Sequence, residues 1–187
     1  MSKDPAPGAW TALRADFRAN APELSADSGV LAVLRAAARN VPTMRFAAVA
    51  LLRLAQGLGR RLGLAGSLVK QVNHLLTGCD IAYQAWIGPG LVLYHPTGVV
   101  VGPACRIGSR ARLMQGATIG SDAVAVGDAL AGSPVIGDDV FVGPGAVIVG
   151  PVELGDRVQV GANSVVTSSF GAGVVLAGAP AGVVRSL

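Results

Sequence analysis

A six-residue beat in the second half of the chain limits the possible folds more than any other feature. Aliphatic side chains recur at Ile81, Ile87 and Leu93, then at Val101, Ile107, Leu113 and Ile119. They resume at Ile136, Val142, Ile148, Leu154 and Val160. Small or turn-forming residues follow most of them, as in Ile107-Gly108, Ile136-Gly137-Asp138 and Leu154-Gly155-Asp156. A hexapeptide repeat predicts a parallel β-helix. Six residues supply one short flat strand and one corner, and three such units close a triangular coil. Each repeated aliphatic then points inward and stacks on its counterpart about 4.8 Å along the axis. Gly, Asn and Asp are expected at the corners, where positive φ costs them little. The positions from Ile81 to Val160 make about four coils.

Composition fits a narrow prism filled by Val, Ile, Leu and Ala. Only 4% of residues are aromatic, and 51% hydrophobic content excludes a disordered chain. Residues 1–79 predict a helical N-terminal region, and residues 80–187 a β-helix domain with an extruded loop at about 120–134. Helices are expected over 9–19, 28–40, 43–58 and 67–76, with Pro22 and Pro42 breaking or beginning them. Gly57, Gly59, Gly63 and Gly66 are expected to loosen the chain between the last two. Helices this apolar must bury against each other, the prism or a partner subunit.

Charge divides unevenly. The first 79 residues hold 10 Lys/Arg against 4 Asp/Glu, and the remainder 5 against 7. The basic half could attract anionic ligands, acidic partners or a membrane surface, or could simply be a solvated helix face. No basic cluster is interleaved with aromatics as single-stranded nucleic acid requires. Cys79 and Cys105 do not form a convincing pair, and Cys105 fits as a small buried hydrophobe. The N-terminus lacks a signal-peptide core, and the apolar stretch from Phe46 to Leu58 is well short of the ~20 residues a membrane span needs. A cytoplasmic, reduced protein is the expectation.

Two places break the rhythm, and breaks tend to carry function. The step from Leu93 to Val101 is eight residues and contains Tyr94-His95-Pro96-Thr97-Gly98. The step from Ile119 to Ile136 is 17 residues, and the excess must leave the prism as a loop.

At these residues the chain resembles the hexapeptide-repeat acyltransferases, and among them the serine acetyltransferases. The resemblance runs from Asp80 to Val184 and is carried by Asp80-Ile81, by the segment from Leu93 to Gly102, and by Ala177-Gly178-Ala179-Pro180-Ala181. The segment from His95 to Gly102 looks like the family's stretch around its catalytic histidine. The 15-residue spacing from Asp80 to His95 matches the family's aspartate–histidine pair. The resemblance implies a homotrimer of left-handed β-helices with acetyl-CoA, as acyl donor, in the groove between prisms. No metal is implied. His95 would be the general base and Asp80 its orienting partner. An imidazole is partly neutral near pH 7, so it can accept a hydroxyl proton and return it to a leaving thiolate. Contacts to the donor transfer to Gly120, Pro144 and Ala162. His74 has no motif around it and reads as a surface or packing residue.

The chain also departs from the serine acetyltransferases. Tyr94 stands where the family has an acidic residue, and Gly132-Ser133-Pro134 where it has Arg-His-Pro. Tyr94 and Ser133 then become the candidate acceptor contacts, in a segment closer in style to polysaccharide and natural-product O-acetyltransferases. The expected function is acetyl transfer to a hydroxyl of a small molecule or sugar. A true serine O-acetyltransferase is the alternative, with Asp122, Asp128 or Arg110 of a neighbouring subunit rebuilding an amino-acid clamp. A non-catalytic hexapeptide scaffold or partner subunit is the other class.

Overall fold

The computed structural model describes residues 8–21, 23–24, 28–40, 43–122 and 132–187. Pro22, Pro42, Asp128 and most of the expected loop fall outside them.

The repeat folds as a left-handed parallel β-helix with three faces. The first face stacks β1 (Asp80–Ile81), β4 (Val100–Val101), β7 (Thr118–Gly120), β10 (Val147–Val149) and β13 (Val165–Val166). The second stacks β2 (Trp86–Ile87), β5 (Arg106–Ile107), β8 (Val135–Ile136) and β11 (Glu153–Leu154). The third stacks β3 (Val92–Leu93), β6 (Arg112–Leu113), β9 (Phe141–Val142), β12 (Gln159–Val160) and β14 (Val174–Gly178). An antiparallel strand, β15 (Ala181–Ser186), closes that face. The coil therefore continues past Val160, the last position of the hexapeptide beat, through β13 and β14.

Register explains the beat. Ile81 lies over Val101, Val101 over Ile119, Ile119 over Ile148 and Ile148 over Val166. All twelve repeated aliphatics are at most 3% exposed. Burying each contributes about 1.5–3 kcal/mol. A second inward position lies two residues earlier and takes side chains of equal or smaller size, from Ala85, Cys105, Ala111 and Ala146 to Val99 and Leu91, all buried. Together the two positions fill a cross-section that holds aliphatic side chains.

One corner column follows the expected chemistry: Gly98, Gly116, Gly145 and Asn163 all have positive φ. The next runs Gly90, Arg110, Asp139, Arg157, and the two arginines were not expected there. Cross-coil pairing offsets the strain at Arg110, whose Nε and Nη2 donate to Asp139 at 2.7 and 2.6 Å. That guanidinium holds the Asp139 carboxyl below the usual carboxylate range.

The N-terminal region forms α1 (Ala9–Asn20), α2 (Val30–Asn40), α3 (Met44–Gly59) and α4 (Gly63–Thr77). Thr43 caps α3, its hydroxyl accepting from the Phe46 N–H. The break between α3 and α4 is confined to 60–62, and α4 begins at Gly63 instead of Ser67. Gly59 and Gly66 serve close approach. A Cβ on Gly66 would stand 2.6 Å from Gly59 Cα, and one on Gly59 would strike the Tyr83 ring. Among the described residues no helix is long and apolar enough to cross a membrane.

Among the contacts between helices and prism is a buried ion pair. Asp16 of α1 and Arg53 of α3 are 0% and 2% exposed at the side chain, with Nε to Oδ2 at 2.7 Å. Asp16 Oδ1 also accepts the Gly90 and Leu91 backbone N–H groups at 2.8 and 2.9 Å. The Arg53 terminal nitrogens donate to Asp16 Oδ1, Gln56 Oε1, Ile87 O and Gly88 O. All five guanidinium donors are thereby used. α4 packs with its polarity inverted. Gly66, Asn73 and Thr77 face inward, while Leu64, Leu68, Leu75 and Leu76 are 60–82% exposed.

Removing one partner of a fully used buried pair strands the other's charge. Arg53→Met is expected to lower unfolding stability by about 3–5 kcal/mol in urea titration. The double variant Asp16→Leu/Arg53→Met should lose less than Arg53→Met alone, because no charge is left unpaired. Burial also pushes the Cys105 thiol up to about 11 and raises that of Cys79. Less thiolate is then present at any given pH, so neither cysteine should react with an aromatic disulfide reagent at pH 8 in the folded protein. Both should react in urea, and rapid native labelling would contradict the burial.

Candidate active site

The two-residue excess between β3 and β4 is confined to one corner. The ladder continues normally at Tyr94, whose N–H donates to Leu113 O at 3.0 Å. It resumes at Gly98, whose N–H donates to Gly78 O at 2.8 Å. The excess chain lies between these points, so His95 is pushed out of the prism while Pro96 turns back inside. His95 is exposed and Pro96 buried. The imidazole has no hydrogen-bond partner among the described residues, which leaves both ring nitrogens available.

Asp80 flanks the same corner one coil earlier, in register with Val100. Its Oδ1 pairs with Lys70 of α4 at 2.5 Å. The orienting bond from Asp80 to His95 expected from sequence is therefore not formed in this conformation. Oδ2 has no partner among the described residues, so the ion pair leaves one oxygen for an imidazole N–H. The pair is partly exposed, at 24% and 42%, and serves more to place the carboxylate than to stabilise the fold. His74 is exposed, with Nδ1 3.3 Å from Cys79 O at the end of α4, in keeping with a packing role.

The other predicted residues divide between two corners. Pro144, between β9 and β10, and Ala162, between β12 and β13, lie further along the corner of His95. Ala162 is exposed and Pro144 half-buried. Gly120 and Ser133 lie at the corner joining the first and second faces, a whole face away from His95. Among the described residues no atom lies within 4 Å of where a Cβ on Gly120 would stand, so their packing does not require a glycine there. Ser133 is 7% exposed, which removes it from the outer surface where an acceptor contact was expected. One chain thus does not bring Ser133 or Gly120 to His95. Asp122 is exposed, whereas Arg110 is held by Asp139 and by Asp138, the latter 3.4 Å from Nη2. Arg110 is already committed and is a poor clamp.

The fold adds a residue to this corner that the sequence did not indicate. Arg45, at the start of α3, lies with its guanidinium carbon 5.1 Å from the Tyr94 ring centroid. It is 49 positions from Tyr94 in the chain, and no local pattern separates it from a solvated helix arginine.

Comparison with known proteins finds similar sequences and a shared fold. Residues 133–168 match the family described as bacterial transferase hexapeptide (six repeats). A serine acetyltransferase of Staphylococcus xylosus is 36% identical over 118 residues, covering 63% of this chain and 53% of the relative. The chain thus spans about half the length of the curated relatives it matches. The soybean serine acetyltransferase apoenzyme superposes with a TM-score of 0.78 at 31% identity, over 95% of this chain and 69% of the other. The Neisseria gonorrhoeae serine acetyltransferase in complex with serine gives 0.79 at 26% identity, over 95% and 69%. A serine acetyltransferase in complex with CoA gives 0.77 at 27%, over 95% and 70%.

Proposed function

Because this chain belongs to the hexapeptide-repeat acyltransferases and is serine acetyltransferase-like, we propose that it is an acetyl-CoA-dependent O-acetyltransferase with His95 as general base. The observation that carries this reading is the two-residue bulge, which projects an unpartnered imidazole from an otherwise regular prism. His95 takes the proton of the acceptor hydroxyl as that oxygen attacks the thioester carbonyl. When the tetrahedral intermediate collapses, the C–S bond breaks and the imidazolium protonates the leaving thiolate. The products are an acetyl ester and CoA. Asp80, held by Lys70 through one oxygen, offers the other to the second ring nitrogen and favours the productive tautomer.

The acceptor we favour is a hydroxy-amino acid, L-serine first. Similarity to serine acetyltransferases, one of them complexed with serine, supports this over the sugar hydroxyl suggested by Tyr94 and Gly132-Ser133-Pro134. The active assembly is a homotrimer in this reading. Gly120 and the loop corner of one prism then meet the His95 corner of the next, and acetyl-CoA runs between them along Pro144 and Ala162. The space that the described residues leave at Gly120 supports such a groove. The uncovered leucines of α4 support burial against another copy, since neighbouring exposed apolar side chains mark protein–protein contact surfaces.

The test is CoA release by the purified protein with L-serine and a panel of sugars and hydroxylated metabolites. L-serine should be the best acceptor, and a protein that releases no CoA with any of them would be a scaffold. His95→Ala is expected to cut turnover by ~10²–10⁴ with unchanged circular dichroism. Asp80→Asn should cut it less, since the base itself remains.

A further inference from the structure

The sequence sets no cation beside His95, but the fold does. Arg45 Nε donates to Asn20 Oδ1 at 2.9 Å. Asn20 is 1% exposed, and its Nδ2 donates to Asp16 O at 2.8 Å and Leu91 O at 3.0 Å. The anchor thus reaches from α1 to the chain entering β3. With Nε tied down and one face of the guanidinium on Tyr94, the side chain has little freedom left. Its two terminal nitrogens carry four N–H donors, and none has a hydrogen-bond partner among the described residues. Tyr94 and His95 are neighbours with Cα atoms about 3.8 Å apart, so the guanidinium over the Tyr94 ring belongs to the same corner as His95.

We propose that Arg45, seated on Tyr94, is the subsite for the carboxylate of the acceptor. The proposal rests on His95 being the base of an acetyl transfer to a hydroxy acid or hydroxy-amino acid. A guanidinium presents parallel N–H groups that match a carboxylate in two-point contact, and its charge strengthens both bonds. Position 94 then has a physical reason to be aromatic. An acidic side chain there would pair with Arg45 and block it, whereas a ring supports the cation from one face and leaves its edge free. Placement favours acceptor over donor. Arg45 lies at the helical end of the corner, beside the first coil, while Pro144 and Ala162 lie coils away towards the C-terminus. The missing Arg-His pair after the loop is thereby replaced from a different element.

The test compares L-serine with L-serinamide, which keeps the hydroxyl and ammonium but lacks the carboxylate. In the full-length protein, Arg45→Gln is expected to lower kcat/KM for L-serine at least ~10-fold more than for L-serinamide, mainly through KM. Arg45→Lys should restore part of that difference, and the KM for acetyl-CoA should not change. Tyr94→Phe, which keeps the ring, should preserve the discrimination, and Tyr94→Ala should weaken it. Equal losses on both acceptors, or a loss expressed in the acetyl-CoA KM, would overturn the subsite. If the wild type acetylates neither compound, the proposed reaction fails, and the subsite is read by calorimetric titration with L-serine. Binding that Arg45→Gln abolishes would sustain it, and no binding or unchanged binding would overturn it.

Discussion

The buried pair of Asp16 and Arg53 is the constraint on which the remaining architecture depends. Two charges removed from water are costly, and their mutual attraction offsets that cost only when every donor and acceptor is used. Here the carboxylate takes two guanidinium contacts and two backbone N–H groups, and the guanidinium spends all five of its own. These bonds run from two helices to the corner at Ile87 to Leu91, so α1 and α3 have one orientation on the first coil. Asn20 sits one turn beyond Asp16 and reaches the same corner, which sets Arg45 over Tyr94. α4 in turn packs on α3 through Gly66 and Gly59, and it delivers Lys70 to Asp80. The helical region thus bears on both sides of the His95 corner.

The prism contributes rigidity and contrast. Parallel strands two or three residues long bind each coil to the next, and the inward aliphatics leave no room for slippage. In such a lattice an insertion can only leave through a corner. The short one at Tyr94–His95 projects a base, and the long one after Gly120 leaves from the neighbouring corner. The separation of the two by a full face follows from the strand count between them. It is also why a single chain does not assemble the whole candidate site.

The coil was legible in the sequence because its signal repeats. Twelve aliphatics in three runs at six-residue spacing define three faces, and all twelve are buried where the spacing puts them. His95 was legible because an irregularity stands out in a periodic background. The helical region was read less well for a physical reason. Its decisive contacts join residues such as Asp16 and Gly90, 74 positions apart, and a lone aspartate on a helix looks the same whether it is solvated or buried. Gly57, Gly59, Gly63 and Gly66 suggested a broken chain because propensity argues against glycine in helices, whereas close approach demanded it at Gly66, against Gly59, and at Gly59, against the Tyr83 ring. Arg45 escaped notice for the same non-local reason, which made the corner look emptier of charge than it is.

The central claim is that His95 of one prism works against the Gly120 corner of the next. Co-assembly of two inactive variants, His95→Ala and Gly120→Phe, tests it most directly. In a cyclic trimer of randomly mixed chains, about a quarter of the sites would join an intact His95 to an intact Gly120 corner. The account predicts recovery of about that fraction of wild-type CoA release after co-refolding at equal amounts, from parents that each show almost none. Mixed assemblies as inactive as their parents, or a protein that stays monomeric while fully active, would contradict it.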